Sequence, residues 1–133
     1  MKNNEPEGEG VFVKAVDFIQ GNLTYNADFG LVIDGGVLPA YAVYEVNLPY
    51  AGDYELWVRY ATMAARPVDI YLDGILKKSA ALGRFTEGWT YADARWSQEL
   101  NIKTTKGRHS IKLITHKTPF PHIDAIKLIY KSK

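Results

Sequence analysis

The chain has 133 residues, with 16 Lys and Arg against 15 Asp and Glu, and no Cys. Near-neutral charge with both signs interspersed argues against a nucleic-acid binder that relies on a basic face and against an electrostatic membrane anchor. The absence of Cys rules out disulfides and thiolate chemistry, and no apolar run is long enough to span a bilayer as a helix.

A chain of this length is expected to form one domain with a real hydrophobic core. Residues 1–10 (MKNNEPEGEG) are polar and lack the apolar stretch of a signal peptide, so they read as a flexible leader or linker. Residues 11–133 are then the domain. Val11 to Asp17 alternates well enough for a first strand. Gly21 to Gly36 holds short apolar pieces broken by Asn, Asp and Gly, which suggests loops with one or two short strands. The strongest signal is Ala42 to Ala61, AVYEVNLPYAGDYELWVRYA. Ala42, Tyr44, Val46 and Leu48 share one parity, as do Tyr54, Leu56, Val58 and Tyr60, with Pro49, Gly52 and Asp53 between them. This reads as two half-buried strands forming an antiparallel hairpin across a tight turn. Val68 to Asp73 and Ile75 to Ala81 flank Asp73-Gly74, a second hairpin signal. Leu82 to Arg95 is the longest irregular stretch and is rich in aromatics. Trp96 to Ile102 and Arg108 to Thr115 are strands on either side of Lys106-Gly107. Thr118 to His122 is a proline-stiffened loop, and Ile123 to Tyr130 is the closing strand. No amphipathic helix is evident. Short strands spaced by turn signals predict an all-β, jelly-roll β-sandwich of two antiparallel sheets, with an up-and-down barrel left open because pattern does not fix strand order.

Catalytic signals are weak. There is no Gly-rich phosphate loop, nucleophile elbow or His-x-x-x-His pair. His109, His116 and His122 are too scattered to propose a metal site, and His109 reads as structural or solvent-facing. A pair of loop carboxylates acting on a glycan is the weakest reading. The positive signal is aromatic residues in loops, because an aromatic face can stack on a sugar ring at little entropic cost. Phe85 and Phe120 read as plugs for the ends of the sandwich, while Trp89 and Tyr91 stay open between plug and exposed platform. Trp57 reads as sheet packing and Trp96 as core. Arg66, Arg84 and Arg95, all in expected loops, could pair with a uronate or sulfate.

These pieces, in this order, resemble the β-sandwich carbohydrate-binding modules of families 6 and 35. The resemblance rests on Tyr44-x-Val46-x-x-Pro49-x-Ala51-Gly52-x-Tyr54-x-Leu56-x-Val58-Arg59-Tyr60-Ala61, then Leu72-Asp73-Gly74, Thr86-Glu87-Gly88-Trp89, Trp96, Gly107-Arg108-His109 and His122-Ile123-Asp124. It implies a non-catalytic module that binds a polysaccharide or oligosaccharide through loops at one end of the sandwich. By position Trp89 matches the loop Trp, and His122 stands where the family has Asn. Tyr41 is the first choice for the second ring and Tyr25 the alternative, with Tyr91 and Arg95 reshaping the site. The resemblance also implies a structural Ca²⁺ held by acids of the first strand and the Asp of the last. Here the first strand reads Lys14-Ala15-Val16-Asp17. No metal is therefore expected, with Lys14 pairing with Asp124 in its place, and Asp124 and Asp17 are the ligands if calcium is bound. The parity of Asp124 with Ile126 and Leu128 points it inward. The implied setting is a monomeric module of a larger multidomain protein, extracellular or periplasmic through its parent chain. Its partner would be a carbohydrate, not nucleic acid or membrane. The alternative is a structural or protein-interaction β-sandwich that has lost sugar binding.

Overall fold

The computed structural model describes residues 5–132. Eleven strands form two antiparallel sheets. They are β1 (Gly10–Lys14), β2 (Gln20–Gly21), β3 (Leu23–Asn26), β4 (Leu31–Asp34), β5 (Ala40–Leu48), β6 (Gly52–Ala61), β7 (Val68–Leu72), β8 (Ile75–Ala81), β9 (Arg95–Thr104), β10 (Gly107–Thr115) and β11 (His122–Ser132). One sheet runs β3-β4-β11-β6-β9 and the other β2-β5-β10-β7-β8. Strand β11 is the hub of the first. It pairs with β6 along one edge, and on the other it meets β4 at Ile123 and β1 over residues 125–129. No helix among the described residues is long and apolar enough to cross a membrane.

The core lies between the sheets and is built by alternation. Ala42, Tyr44, Val46 and Leu48 of β5 are buried against Tyr54, Leu56, Val58 and Tyr60 of β6, with Ile111 and Leu113 from β10 and Ile126 and Leu128 from β11. Strands β5 and β6 therefore do not form a hairpin. Strand β5 pairs with β10 and β2, whereas β6 pairs with β11 and β9, so the Pro49–Ala51 turn carries the chain from one sheet to the other. The two buried stripes face each other across the core, which produces the same period-two pattern as a hairpin. The expected β7–β8 hairpin is present, and Asp73 and Gly74 both take positive φ (52° and 81°), as a type I′ turn requires.

Other segments depart from the sequence reading for local reasons. The first strand ends at Lys14, and Ala15–Asp17 forms a 3₁₀ turn. That turn buries Ala15 completely, and its carbonyl accepts a 2.7 Å hydrogen bond from the Tyr44 hydroxyl. Residues 5–9 of the expected leader are held to β11. The Lys127 ammonium donates to Glu5 Oε2 and to the Pro6 carbonyl (3.0 and 2.7 Å), and the Tyr130 amide donates to the Glu9 carbonyl. Residues 1–4 of that leader lie outside the described residues. Trp96 is buried, but on the outer face of its sheet. It sits opposite outward-facing Arg59, with Phe12 6.4 Å away and the Lys127 ammonium 6.0 Å from its ring. Phe120 is fully buried as an end plug, whereas Phe85, expected to do the same, is 62% exposed.

Candidate functional site at the loop pole

Pairing of Ala61 with His122 and of Tyr60 with Arg95 places the 62–67, 82–94 and 116–121 loops at one pole of the sandwich. The loop that carries Trp89 is held by a short ladder. The Thr86 amide donates to the Thr62 carbonyl (2.8 Å), the Thr62 amide donates to Thr86 Oγ1 (3.0 Å), and Thr86 Oγ1 donates to the Gly88 carbonyl (2.8 Å). Asp93 closes the loop by accepting from the Thr90 amide and hydroxyl (3.1 and 2.7 Å). A Cβ on Gly88 would collide with the Asp93 carboxyl group, so any larger residue would have to displace the side chain that closes the loop. The Thr86-Glu87-Gly88-Trp89 motif is thus a device that fixes the indole in place.

Trp89 is half-buried and His122 lies beside it, with ring centroids 4.8 Å apart. On its other side His122 meets Phe29 at 4.5 Å. His122 Nδ1 is 2.9 Å from the Trp89 carbonyl, which can only accept, so Nδ1 carries the proton in the neutral ring. Burial lowers the His122 pKa, and the Arg66 charge adds to this against the opposing pull of the Trp89 carbonyl and Asp34. The ring is therefore neutral near pH 7, with a bare lone pair on Nε2. That atom makes no hydrogen bond to a described residue and is not sealed from solvent. Arg66 lays its guanidinium over the Trp89 ring, 4.2 Å from the centroid, and donates through Nη1 to the Phe120 carbonyl (3.3 Å). Its other N–H groups have no bond to a described residue. Asp34 Oδ2 accepts from the Phe120 amide (3.0 Å), which ties the 116–121 loop to β4. The pole therefore presents an indole covered on one face by an arginine fork, beside a fixed imidazole acceptor. These groups can stack on an apolar ring face and bond to hydroxyl or carboxylate oxygens.

The remaining candidates fall elsewhere. Tyr91 and Tyr25 line a groove of about 400 Å³ on the outer face of the six-stranded sheet, together with Phe12, Lys14 and Asp124. Tyr25 and Tyr91 are 56% and 53% exposed. Tyr41 alternates out of the core onto the outer face of the five-stranded sheet, where its backbone is clamped by Asn22. No ring contact joins it to Trp89 among the described residues. Arg95 bonds back to the Ala92 and Ala94 carbonyls, beside the 3₁₀ turn Tyr91–Asp93. Phe29 and Asp34 belong to the loop-pole cluster and were not flagged in sequence.

The expected Lys14–Asp124 pair does not form. The register between β11 and β6 shifts at Asp124, a β-bulge that turns its carboxylate to the outer face instead of inward. There it accepts from Arg59 Nη1 at 3.1 Å, while Arg59 Nη2 donates to the Tyr91 carbonyl (3.1 Å) and the Tyr91 ring covers the guanidinium at 4.4 Å. Lys14 is exposed. Lys14 and Val16 stand where the resemblance implies carboxylates, Asp17 is exposed, and Asp124 is committed to an arginine. These donors do not fit a Ca²⁺ ion, which needs six or more oxygens. No group of three or more His, Asp or Glu residues suited to a metal occurs among the described residues.

No protein-family model and no curated protein matches the chain. Solved structures do. A family 35 carbohydrate-binding module from Paenibacillus barcinonensis superposes with a TM-score of 0.78 at 18% identity, over 92% of this chain and 100% of that one. A native family 35 module from Clostridium thermocellum gives 0.75 at 26% identity, over 93% and 100%. A GH26-CBM35 β-(1,4)-mannanase from Podospora anserina gives 0.68 at 15% identity, where the match covers 93% of this chain but 28% of the enzyme. The sandwich described here thus has the fold of the family 35 carbohydrate-binding modules.

Proposed function

We propose that this chain is a non-catalytic carbohydrate-binding module whose sugar site is the loop pole. Trp89 supplies the stacking face, His122 Nε2 accepts a hydroxyl proton, and the unused N–H groups of Arg66 bond to ring substituents, including a carboxylate where one is present. The observation that carries this is the Trp89–Arg66–His122 cluster, in which hydrogen-bonding groups have no partner among the described residues beside a ring fixed by its own loop. Tyr91 and Tyr25 extend the contact surface on the adjoining sheet face. The module works as one part of a larger, extracellular glycan-active protein, in keeping with the mannanase in which the same fold is a fraction of the chain. One platform with a few hydrogen bonds gives a Kd of about 10 μM to 1 mM.

Affinity electrophoresis against neutral, uronic and sulfated polysaccharides tests this. Retardation by at least one of them is expected, and Trp89→Ala should abolish it for a neutral polysaccharide and weaken it for an acidic one while leaving the far-ultraviolet circular dichroism unchanged. No retardation in any gel would favour the interaction-module reading, and retardation left undiminished in Trp89→Ala would move the site away from the loop pole.

A further inference from the structure

We propose that the opposite pole carries a second saccharide site, which takes an acidic sugar unit on a ledge formed by Tyr50 and Tyr130 and edged by Lys103 and Lys106. The proposal rests on the carbohydrate-binding reading above but uses none of the same residues. Strand β6 begins at this pole and ends at the other, so its 10 residues separate the two sites. At the rise of a β-strand that is roughly 30 Å.

The Pro49–Gly52 turn and the end of β9 with its following turn frame an open groove of about 630 Å³ whose lining is mostly apolar. Tyr50, 41% exposed, packs against Tyr130 with centroids 4.8 Å apart and ring planes tilted by 43°, and Tyr130 packs on buried Tyr54 at 5.4 Å. The turn is fixed from below by a single hydroxyl. Tyr54 Oη accepts from the Tyr50 amide (3.1 Å) and donates to the Tyr50 carbonyl (2.7 Å). The Tyr50 hydroxyl donates to Glu9 Oε2 (2.6 Å), which orients the ring. A rigid, partly exposed aromatic ledge is suited to stacking on a sugar because little order remains to be imposed on binding.

Charge selects the sugar. Lys103 and Lys106 line the groove, and neither has a carboxylate within 4.0 Å among the described residues. Asp53, the cross-strand neighbour of Lys103, meets the Ser132 hydroxyl (3.4 Å), and Glu9 accepts from Tyr50; both keep their charge, but neither holds a lysine of the groove. Two ammonium groups beside an aromatic face suit a ring bearing a carboxylate or sulfate. An acidic peptide would satisfy the lysines but leave the aromatic rings unused.

The test is affinity electrophoresis and NMR titration of the whole chain with polygalacturonate, dextran sulfate, neutral dextran and poly-glutamate. In the Trp89→Ala background, retardation by polygalacturonate or dextran sulfate should persist, with amide shifts at Ala51, Gly52 and Thr104. Adding Lys103→Ser with Lys106→Ser, or Tyr50→Ala, should abolish both signals while the thermal melt shows a folded chain. Response to polygalacturonate alone assigns a carboxylate, and response to dextran sulfate alone assigns a sulfate. The proposal is overturned if neither acidic polysaccharide retards Trp89→Ala, if the lysine and Tyr50 variants bind as before, or if poly-glutamate competes equally well. Failure of the loop-pole reading shows separately, as wild-type retardation that Trp89→Ala leaves undiminished in every gel.

Discussion

Replacing Arg59 with Met tests the idea that an arginine holds Asp124 in the absence of fitting calcium ligands. The Arg59 side chain is 5% exposed and that of Asp124 is 27% exposed. The substitution keeps most of the apolar stem packing but removes the 3.1 Å bond to Asp124, the 3.1 Å bond to the Tyr91 carbonyl and the stack under the Tyr91 ring. Breaking a fully buried ion pair by deleting one partner costs about 3–5 kcal/mol, because a charge is left stranded. Here the carboxylate is a quarter exposed and can recover part of its hydration, so about 2–3 kcal/mol is the expected loss. For a domain of this size that is a fall of about 6–15 °C in Tm. Urea unfolding should show a lower midpoint with an unchanged slope. Arg59→Met combined with Asp124→Asn should regain part of the loss, since the stranded charge is gone. A single variant within about 0.5 kcal/mol of wild type, or a double variant no more stable than the single, would refute the argument. So would a rise in wild-type Tm on adding millimolar calcium.

Three further outcomes follow from other parts of the structure. Burial opposes protonation of His109, but the Asp73 carboxylate at 2.6 Å and the Thr105 carbonyl at 2.7 Å outweigh it and raise its pKa. Its contribution to stability is then complete below the unfolded value of about 6.5 and is lost as pH rises through the higher folded value. Tm profiles of wild type and His109→Asn should therefore converge on the alkaline side, and a gap that widens with pH would contradict this. Gly88→Ala places a methyl group against the Asp93 carboxylate. It should loosen the Trp89 loop and weaken sugar retardation by at least about tenfold with little change in circular dichroism. Leu113→Ala, in the fully buried centre of β10, should cost about 2–5 kcal/mol by urea unfolding.

Most strands were readable in the sequence because each buries one face, and alternation reports that directly. Alternation does not say which partner covers the face. Strands β5 and β6 lie in different sheets but bury their stripes in the same core, so a turn between sheets looked like a hairpin. Asp73-Gly74 was readable because its positive φ angles demand those residue types. The direction of Asp124 was not, since a one-residue bulge reverses parity without a sequence mark. Trp89 and His122 were placed by motif and do lie side by side. Tyr41, Tyr25 and Tyr91 are aromatics near the right strands in the sequence, and the sheet faces they occupy arise only on folding. Phe29 and Asp34 sit where Asn and Gly residues make the chain look like plain loop. The Asn26 side chain accepting from the Phe29 amide (3.1 Å), with Gly30 at φ 74°, marks a built turn that presents the Phe29 ring to His122.

The position of β11 has a consequence for synthesis. This strand joins β1, β4 and β6, yet it is translated after all of them. Until residues 122–132 leave the ribosome, the six-stranded sheet lacks its centre and the apolar faces of β5, β6 and β10 have only part of their cover. A β-topology dominated by such distant pairings folds in milliseconds to seconds, so completion waits on the last strand. A nascent chain stalled before His122 should remain sensitive to protease, and one stalled after β11 has cleared the exit tunnel should become resistant in a single step.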